Sequence, residues 1–319
     1  MEGNELQVLF FQYIKSKLPS NISLADEIAD ILSISSDSVY RRIRGEKILS
    51  IDEVSKIASY FKISVDQLLN LNTTDAKTFS GNYITPENFN FDMYLQKALS
   101  VLVYLNSFTN KELIYFCKDI AVFHYFSYPE LAAFKNFAWI KTLLQFPAFA
   151  HEPFHADVFE KCLIETGIKI AKQYSLIPGH EIMNVNNIHT TLYQIEYYKT
   201  AHMFRSDVEL SLIYEQLHAM VNHIEAQAEN GMKFMPGEKV TSEMPRYNLY
   251  VNDFVTGDNS NLAIVDGNRI SYMVHSHINY LVTTDEQHTS YQYNFLRNVM
   301  QKSILLSKSS EKLRAGFFI

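Results

Sequence analysis

Closely spaced helix start and stop signals in the first quarter of the chain constrain its fold more than any other feature. Ser23 can cap a helix that ends near Leu32, and Ser35 can cap a second helix that ends before Gly45. Only residues 33–35 separate the two helices. Two short helices joined this closely must share one small core, so the pattern predicts a helix-turn-helix unit.

Further helix signals surround this pair. Ser50 with Glu53 and Ser64 with Gln67 have the spacing of capping boxes, which predicts two following helices. An amphipathic helix precedes the pair, with an apolar side formed by Leu6, Leu9, Phe10, Tyr13, Ile14 and Leu18. We therefore expect a five-helix domain over residues 1–70, followed by a polar linker over residues 71–90.

The second helix of the pair has a face suited to DNA. Val39 and Ile43 lie four residues apart and are expected to pack inward, so the opposite face is centred on Arg41. A guanidinium at this position could donate two hydrogen bonds to O6 and N7 of guanine. Asp37, on the same face, could accept from a cytosine amino group. This face is therefore predicted to enter a major groove.

These residues resemble the phage lambda repressor/Cro-type helix-turn-helix family over roughly residues 5–70. The resemblance is carried by Ile28, Ala29, Ile34, Val39, Gly45 and the segment ISVDQLL that ends at Leu69. It implies base contacts at Ser36, Asp37 and Arg41, and phosphate contacts near Ser35, Arg44 and Lys47. Ser38 and Tyr40, on the same helix, complete the predicted DNA-binding set.

Two features depart from the family pattern. Leu24 and Ala25 stand where a polar residue often meets phosphate, and Arg42 stands where the family usually buries an aliphatic side chain. We expect Arg42 at the edge of the core. Over residues 1–75 there are 8 Lys and Arg against 11 Asp and Glu. One head is therefore expected to bind DNA weakly, and a homodimer is expected to supply the second head.

The rest of the chain predicts a larger helical body. Helical patterns rich in Tyr and Phe cover about 91–107, 110–126, 129–146, 156–174, 184–204 and 206–231. From residue 246 short apolar runs predict strands, with Asp266-Gly267 as a hairpin turn, then a helix over 284–307 and an edge strand at the C-terminal GFFI. The expected fold class is mainly α: a five-helix head, a helical body over 91–245, and a small α+β segment over 246–319.

One short motif suggests a different function. His151, Glu152 and His155 have the H-E-x-x-H spacing of zinc peptidases. Pro153 lies inside the motif, where it disfavours a helix, and the sequence shows no evident third ligand. We therefore predict no metal site, no cofactor and no enzymatic activity, with a DNA-tethered zinc peptidase as the alternative.

The sequence as a whole predicts a sequence-specific transcription regulator that binds double-stranded DNA. Its body is expected to mediate dimerisation or to sense a small-molecule or peptide effector or a partner. A protein-interaction module with the head as an accessory is a further alternative. Two cysteines give no disulfide framework, and no apolar run is long enough to predict a membrane span. We therefore expect a cytoplasmic location and no membrane partner.

Overall fold

The computed structural model describes residues 3–19, 22–61, 63, 65, 77–82, 84–85, 90–159, 161–254, 259–275, 279–309 and 311–318. The chain divides into two units, of which the first contains Met1–Phe79, Ser107–Asn110 and Val265–Asn268. The second contains Ser80–Asn106, Lys111–Ile264 and Arg269–Ile319. We call the helices within residues 3–61 the head, and the second unit the body.

The described part of the head contains four helices: α1 (Gly3–Lys17), α2 (Leu24–Leu32), α3 (Ser36–Ile43) and α4 (Ile51–Phe61). Their core is formed by Phe10, Phe11, Ile14, Ala25, Ile28, Val39 and Ile57. The predicted helix pair is confirmed, whereas Leu9, expected on the apolar side of α1, is exposed. The fifth helix predicted after Ser64 lies mostly outside the described residues.

The body is built on one mixed sheet, in which the described residues form eight strands. They are β1 (Ser80–Asn82), β2 (Lys111–Phe116), β3 (Gly179–Met183), β4 (Tyr247–Val251), β5 (Ser260–Val265), β6 (Asn268–His275), β7 (Asn279–Thr283) and β8 (Ile304–Leu305). Their spatial order is β1-β7-β6-β5-β2-β3-β4-β8. β2, β3 and β4 are parallel neighbours, while β7 runs antiparallel to β1 and β6, and β8 runs antiparallel to β4.

Helices pack around this sheet. The described ones are α5 (Phe91–Asn106), α6 (Val122–Tyr125), α7 (Pro129–Ala138), α8 (Lys161–Ser175), α9 (Asn186–Thr200), α10 (Asp207–Asn230), α11 (Glu286–Gln301) and α12 (Glu311–Phe318). α5 packs against α8, and α11 contributes Leu296 and Val299 to a core cluster with Ile114, Ile182 and Leu262 of the sheet. None of these described helices is both long and apolar enough to cross a bilayer.

The expected fold class, mainly α with a small α+β segment at its end, is wrong. Strand β2 lies where a helix over 110–126 was expected, and β3 lies in a stretch for which no strand was predicted. The last four residues of β2 are buried, and a short, continuous apolar run does not distinguish a buried strand from a buried helix. The C-terminal GFF belongs to α12 rather than to an edge strand.

Candidate nucleic-acid interface

Local backbone geometry fixes the turn between α2 and α3. Ser33 has a left-handed φ of 52° and ends α2, while the N–H of Ile34 donates to the Ala29 carbonyl at 3.1 Å. Ser35 then begins α3, since its hydroxyl accepts from the N–H of Ser38 at 3.4 Å. These contacts hold the two helices in the helix-turn-helix arrangement.

The outward side of α3 is polar and exposed. Asp37, Tyr40, Arg41 and Arg44 follow the i, i+3, i+4, i+7 spacing of a single helix face, and Val39 on the other side is fully buried. Among the predicted DNA-binding residues, the exposed ones are Ser35, Ser36, Asp37, Tyr40, Arg41, Arg44 and Lys47. The fold thus places them together on the surface at and around α3, and their contacts with DNA stay a prediction.

Ser38 differs from the other members of the predicted set. It is half-buried, and its hydroxyl accepts from Nη1 of Arg42 at 2.7 Å. The hydroxyl is therefore already bonded within the head.

Arg42 is buried inside the head rather than at the edge of its core, because a carboxylate neutralises it there. It is 3% exposed, and its Nη2 lies 2.6 Å from Oε1 of Glu53 on α4. Its Nε donates to Oε2 of Glu53 at 3.4 Å. The hydrogen bond from Arg42 lowers the pKa of Glu53. This ion pair joins the inner side of α3 to α4, so the outer side keeps its orientation.

Gln7 of α1 is a structural residue that the sequence reasoning missed. Its Nε2 donates to the carbonyls of Arg42 at 2.7 Å and Lys47 at 2.8 Å, and its Oε1 accepts from the N–H of Leu49 at 2.8 Å. Gln7 is 8% exposed, so the signal in the sequence was an amide within the apolar side of α1. Its three bonds fix the segment that follows α3.

Glu46 reduces the positive charge of this surface. Its Oε1 lies 2.6 Å from Nε of Arg44, and its Oε2 lies 3.8 Å from Nε of Arg41. The hydrogen bond from Arg44 lowers the pKa of Glu46 and raises that of Arg44. The side chains of Arg44 and Glu46 are about half exposed, so solvent screens this pair. A DNA phosphate would have to compete with Glu46 for Arg44.

We expect Glu46→Gln to strengthen non-specific DNA binding. The change frees the Arg44 guanidinium for a phosphate, and one added phosphate contact steepens the salt dependence of log K by about 0.9. Anisotropy titrations of a random-sequence duplex across salt concentrations measure this slope. Asp52→Asn, at the exposed start of α4, removes the same charge away from α3 and is the control. An identical slope in Glu46→Gln and the unmodified protein would show that Glu46 does not restrain Arg44.

The residues of the zinc-peptidase motif lie in the segment between α7 and α8. Residues 151–155 form no helix, and His155 has an extended φ of −145°. The Lys141 ammonium donates to the Glu152 carbonyl at 2.8 Å. The helical spacing that would place both imidazoles on one face is therefore not formed. Within the described ranges, no three His, Cys, Asp or Glu side chains are grouped so that they could hold a metal ion.

Comparison with known protein families gives a match in the N-terminal part of the chain. Residues 19–97 match the model of the BetR domain, a helix-turn-helix-like DNA-binding domain family. The match covers about a quarter of the chain and includes α2, α3 and α4. No curated protein and no solved structure matches the chain. The match supports a regulatory, DNA-binding role for the N-terminal part of the protein.

Proposed function

We propose that this protein is a sequence-specific transcription regulator of the lambda repressor/Cro type, and that α3 is its recognition helix. The observation that carries the proposal is the two-sided character of α3. Arg42 is paired with Glu53 inside the head, whereas Arg41, the residue before it, is exposed. The BetR match over the same helices supports it. The proposed function is binding alone, without catalysis or a cofactor.

In this proposal α3 lies in the major groove of double-stranded DNA. Arg41 donates two hydrogen bonds to a guanine, and Asp37 accepts from a cytosine amino group. Ser36 is a further base contact. The phosphate contacts come from Ser35, Arg44 and Lys47, and they set the position of the helix on the backbone rather than the sequence that it reads. Ser38 and Tyr40 complete the predicted set.

Two heads on one DNA molecule complete the proposal. Glu46 lies close to both Arg41 and Arg44 and partly neutralises them, so a single head should bind DNA phosphates weakly. A homodimer would add the second head and would read an inverted repeat with half-sites about 34 Å apart. We further propose that the body carries the dimer contact and responds to an effector.

The first test is selection from a random duplex library at about 150 mM salt, where weak phosphate binding is screened. An enriched inverted repeat is the expected result. Sedimentation of the complex then gives the number of chains on each operator. A monomer that binds with one head would contradict the dimer proposal.

On the selected operator we expect Arg41→Ala to weaken binding about 5- to 150-fold, equivalent to about 1–3 kcal/mol at one base position. Competition with operators altered at single base pairs should show that the variant no longer discriminates at one of them. Lys56→Ala, which removes an exposed cation from α4, is the matched control. Equal operator affinity in Arg41→Ala and the unmodified protein would eliminate the base-reading role of Arg41.

A further inference from the structure

The body contains a cavity of about 230 Å³ that DNA binding does not use. It is lined by residues of α5, α6 and α9, of strands β2, β5, β6 and β7, and of the segments next to β2, β5, α6 and α7. Its walls are mostly apolar, and they include Leu102, Leu105, Phe123, Phe126, Trp139 and Val274. A cavity with this lining is typical of sites for small molecules.

The cavity lies where the connections of the sheet change direction. β3 and β4 lie on one side of β2 and β5 lies on the other, although β5 follows β4 along the chain. Lys118 and Asp119 come just after the carboxyl end of β2, and Asn259 and Asn261 lie at the beginning of β5. The N–H of Lys118 donates to Oδ1 of Asn259 at 2.7 Å, which closes this corner. The cavity thus lies beyond the carboxyl end of β2, and open α/β sheets usually bind ligands at the carboxyl ends of their parallel strands.

The buried charges at the cavity neutralise each other. Oδ2 of Asp119 lies 2.6 Å from Nζ of Lys135, which is 1% exposed and also donates to Thr191 and Gln194. Oδ1 of Asp119 accepts from the Tyr125 hydroxyl at 3.0 Å. Lys118 also lines the cavity, but it is exposed and its charge is solvated. Since both members of the buried pair are satisfied, a charge carried into the cavity would have no buried counter-ion. The cavity therefore favours an uncharged molecule.

The tyrosines that line the cavity add no charge to it. Burial raises the pKa of Tyr94, Tyr115 and Tyr272, so these phenols stay protonated near neutral pH. The cavity therefore presents hydroxyl groups and ring faces rather than phenolate charge.

Among the polar residues that line the cavity, Asn261 supplies a buried hydrogen-bond acceptor. Its Oδ1 is buried and has no hydrogen-bond partner among the described residues. Asn261 and Asn259 are two positions apart along the extended chain and both line the cavity, so they share one face. An unpaired buried acceptor is unfavourable, and a donor on a bound molecule would satisfy it.

We propose that this cavity binds a small, uncharged and mainly apolar molecule that donates a hydroxyl or amide hydrogen to Oδ1 of Asn261. Its size follows from the volume: an apolar cavity of about 150 Å³ holds benzene, so by proportion this one holds roughly nine non-hydrogen atoms. A slightly larger molecule can extend through the opening of the cavity. The suggestion that this molecule is the effector rests on the proposed function. Binding itself does not depend on DNA.

Three probes of similar shape test the proposal on the full-length protein by equilibrium dialysis. They are 2-naphthol, 2-methylnaphthalene and 2-naphthoate, which differ in their hydrogen-bond donor and charge. We expect one 2-naphthol per chain, bound roughly fivefold more tightly than 2-methylnaphthalene, which is the factor that one net hydrogen bond provides. We expect 2-naphthoate to bind most weakly of the three.

Two variants locate the binding. Asn261→Leu should abolish the preference for 2-naphthol and leave 2-methylnaphthalene binding in place. Ala98→Trp should fill the cavity and abolish binding of both, whereas Val103→Trp, on the exposed side of the same helix, should not. Far-UV circular dichroism checks that each variant is folded.

Three results would overturn the proposal: no binding of either neutral probe up to about 100 μM, tightest binding of the naphthoate, or a 2-naphthol preference that persists in Asn261→Leu. DNA selection is measured separately and without probes. Failure of the cavity proposal therefore leaves the proposed DNA-binding function intact, and failure of DNA selection leaves the probe results intact.

Discussion

Glu181→Gln should destabilise the body by about 3 kcal/mol, because it leaves a buried lysine without its carboxylate and weakens the hydrogen bonds that the charged carboxylate makes with three buried side chains. Glu181, on β3, is fully buried and accepts from the hydroxyls of Tyr174 at 2.6 Å and Tyr247 at 3.0 Å. Nε2 of His124 lies 2.8 Å from its Oε1. Lys233, 2% exposed, lies with Nζ 3.5 Å from the ring centroid of Tyr174 and has no hydrogen-bond partner among the described residues. Glu181 is therefore the balancing charge for Lys233.

The pKa shifts give this effect a pH dependence. Burial alone would raise the pKa of Glu181, but His124, Lys233 and Tyr174 together outweigh it and lower the pKa to about 2. Because the folded pKa of Glu181 is below its ordinary value of 4.5, ionised Glu181 stabilises the folded body fully above about pH 4.5. This stabilisation is lost as the pH falls toward 2. Burial lowers the pKa of Lys233 to about 8, against the attraction of Glu181. The deficit of Glu181→Gln should therefore shrink above pH 8, where folded Lys233 is uncharged with or without its partner.

The single tryptophan of the chain makes this measurable. Trp139 is 8% exposed and lies in the body, so its fluorescence follows unfolding of the body during a urea titration. We expect the midpoint of Glu181→Gln to fall by roughly 1–2 M urea at pH 7. The double variant Glu181→Gln/Lys233→Met, which removes the unbalanced charge, should recover the part of the loss that is due to Lys233. An unchanged midpoint in the single variant would mean that Glu181 does not balance Lys233.

The head could be predicted from the sequence because its signals are local. Ser23, Ser35 and the Ser50–Glu53 capping box lie within three residues of the groups that they bind, and the structure contains each of these bonds. The hairpin turn is local in the same way. Asp266 and Gly267 both have positive φ, as a two-residue turn between neighbouring strands requires.

The body could not be predicted in this way because its sheet depends on distant pairing. Leu113 of β2 pairs with Gly179 of β3, and Gly179 pairs in turn with Tyr247 of β4. The short apolar runs that form β2, β3 and β4 contain no local signal that identifies the strand with which each one pairs. Gly179 shows how specific the pairing is, since a Cβ there would lie 2.6 Å from the Leu113 carbonyl oxygen. Only glycine permits the two strands to approach this closely.

The sequence predicted which residues lie on the outer face of α3, but not the contacts that hold α3 in place. Helical spacing placed Asp37, Arg41 and Arg44 on one face, which the structure shows to be exposed. The burial of Arg42 against Glu53 depends on the packing of α3 against other helices of the head. The bonds of Gln7 to the segment after α3 depend on the same packing, so one-dimensional periodicity could not reveal either.

Two Arg–Glu pairs of the head have the same closest distance of 2.6 Å and should differ widely in their contribution to stability. The Arg42 and Glu53 side chains are 4% and 22% exposed, against 54% and 48% for Arg44 and Glu46. Glu53→Ala leaves the buried Arg42 guanidinium without its carboxylate and should cost about 3–5 kcal/mol. It also removes the carboxylate that accepts from the N–H of Ser50. Glu46→Ala should change stability by less than about 0.5 kcal/mol.

Amide hydrogen exchange of α3 and α4 in the full-length protein separates these two outcomes, because it reports the opening of the head without unfolding the body. Glu53→Ala should lower the opening free energy of both helices, and Glu46→Ala should leave it unchanged. Arg42→Met/Glu53→Gln, which removes the buried charge and keeps an oxygen for Ser50, should restore most of the protection. Equal protection in Glu53→Ala and Glu46→Ala would show that the buried pair does not hold α3 against α4. The outward orientation of Arg41 would then need another structural cause.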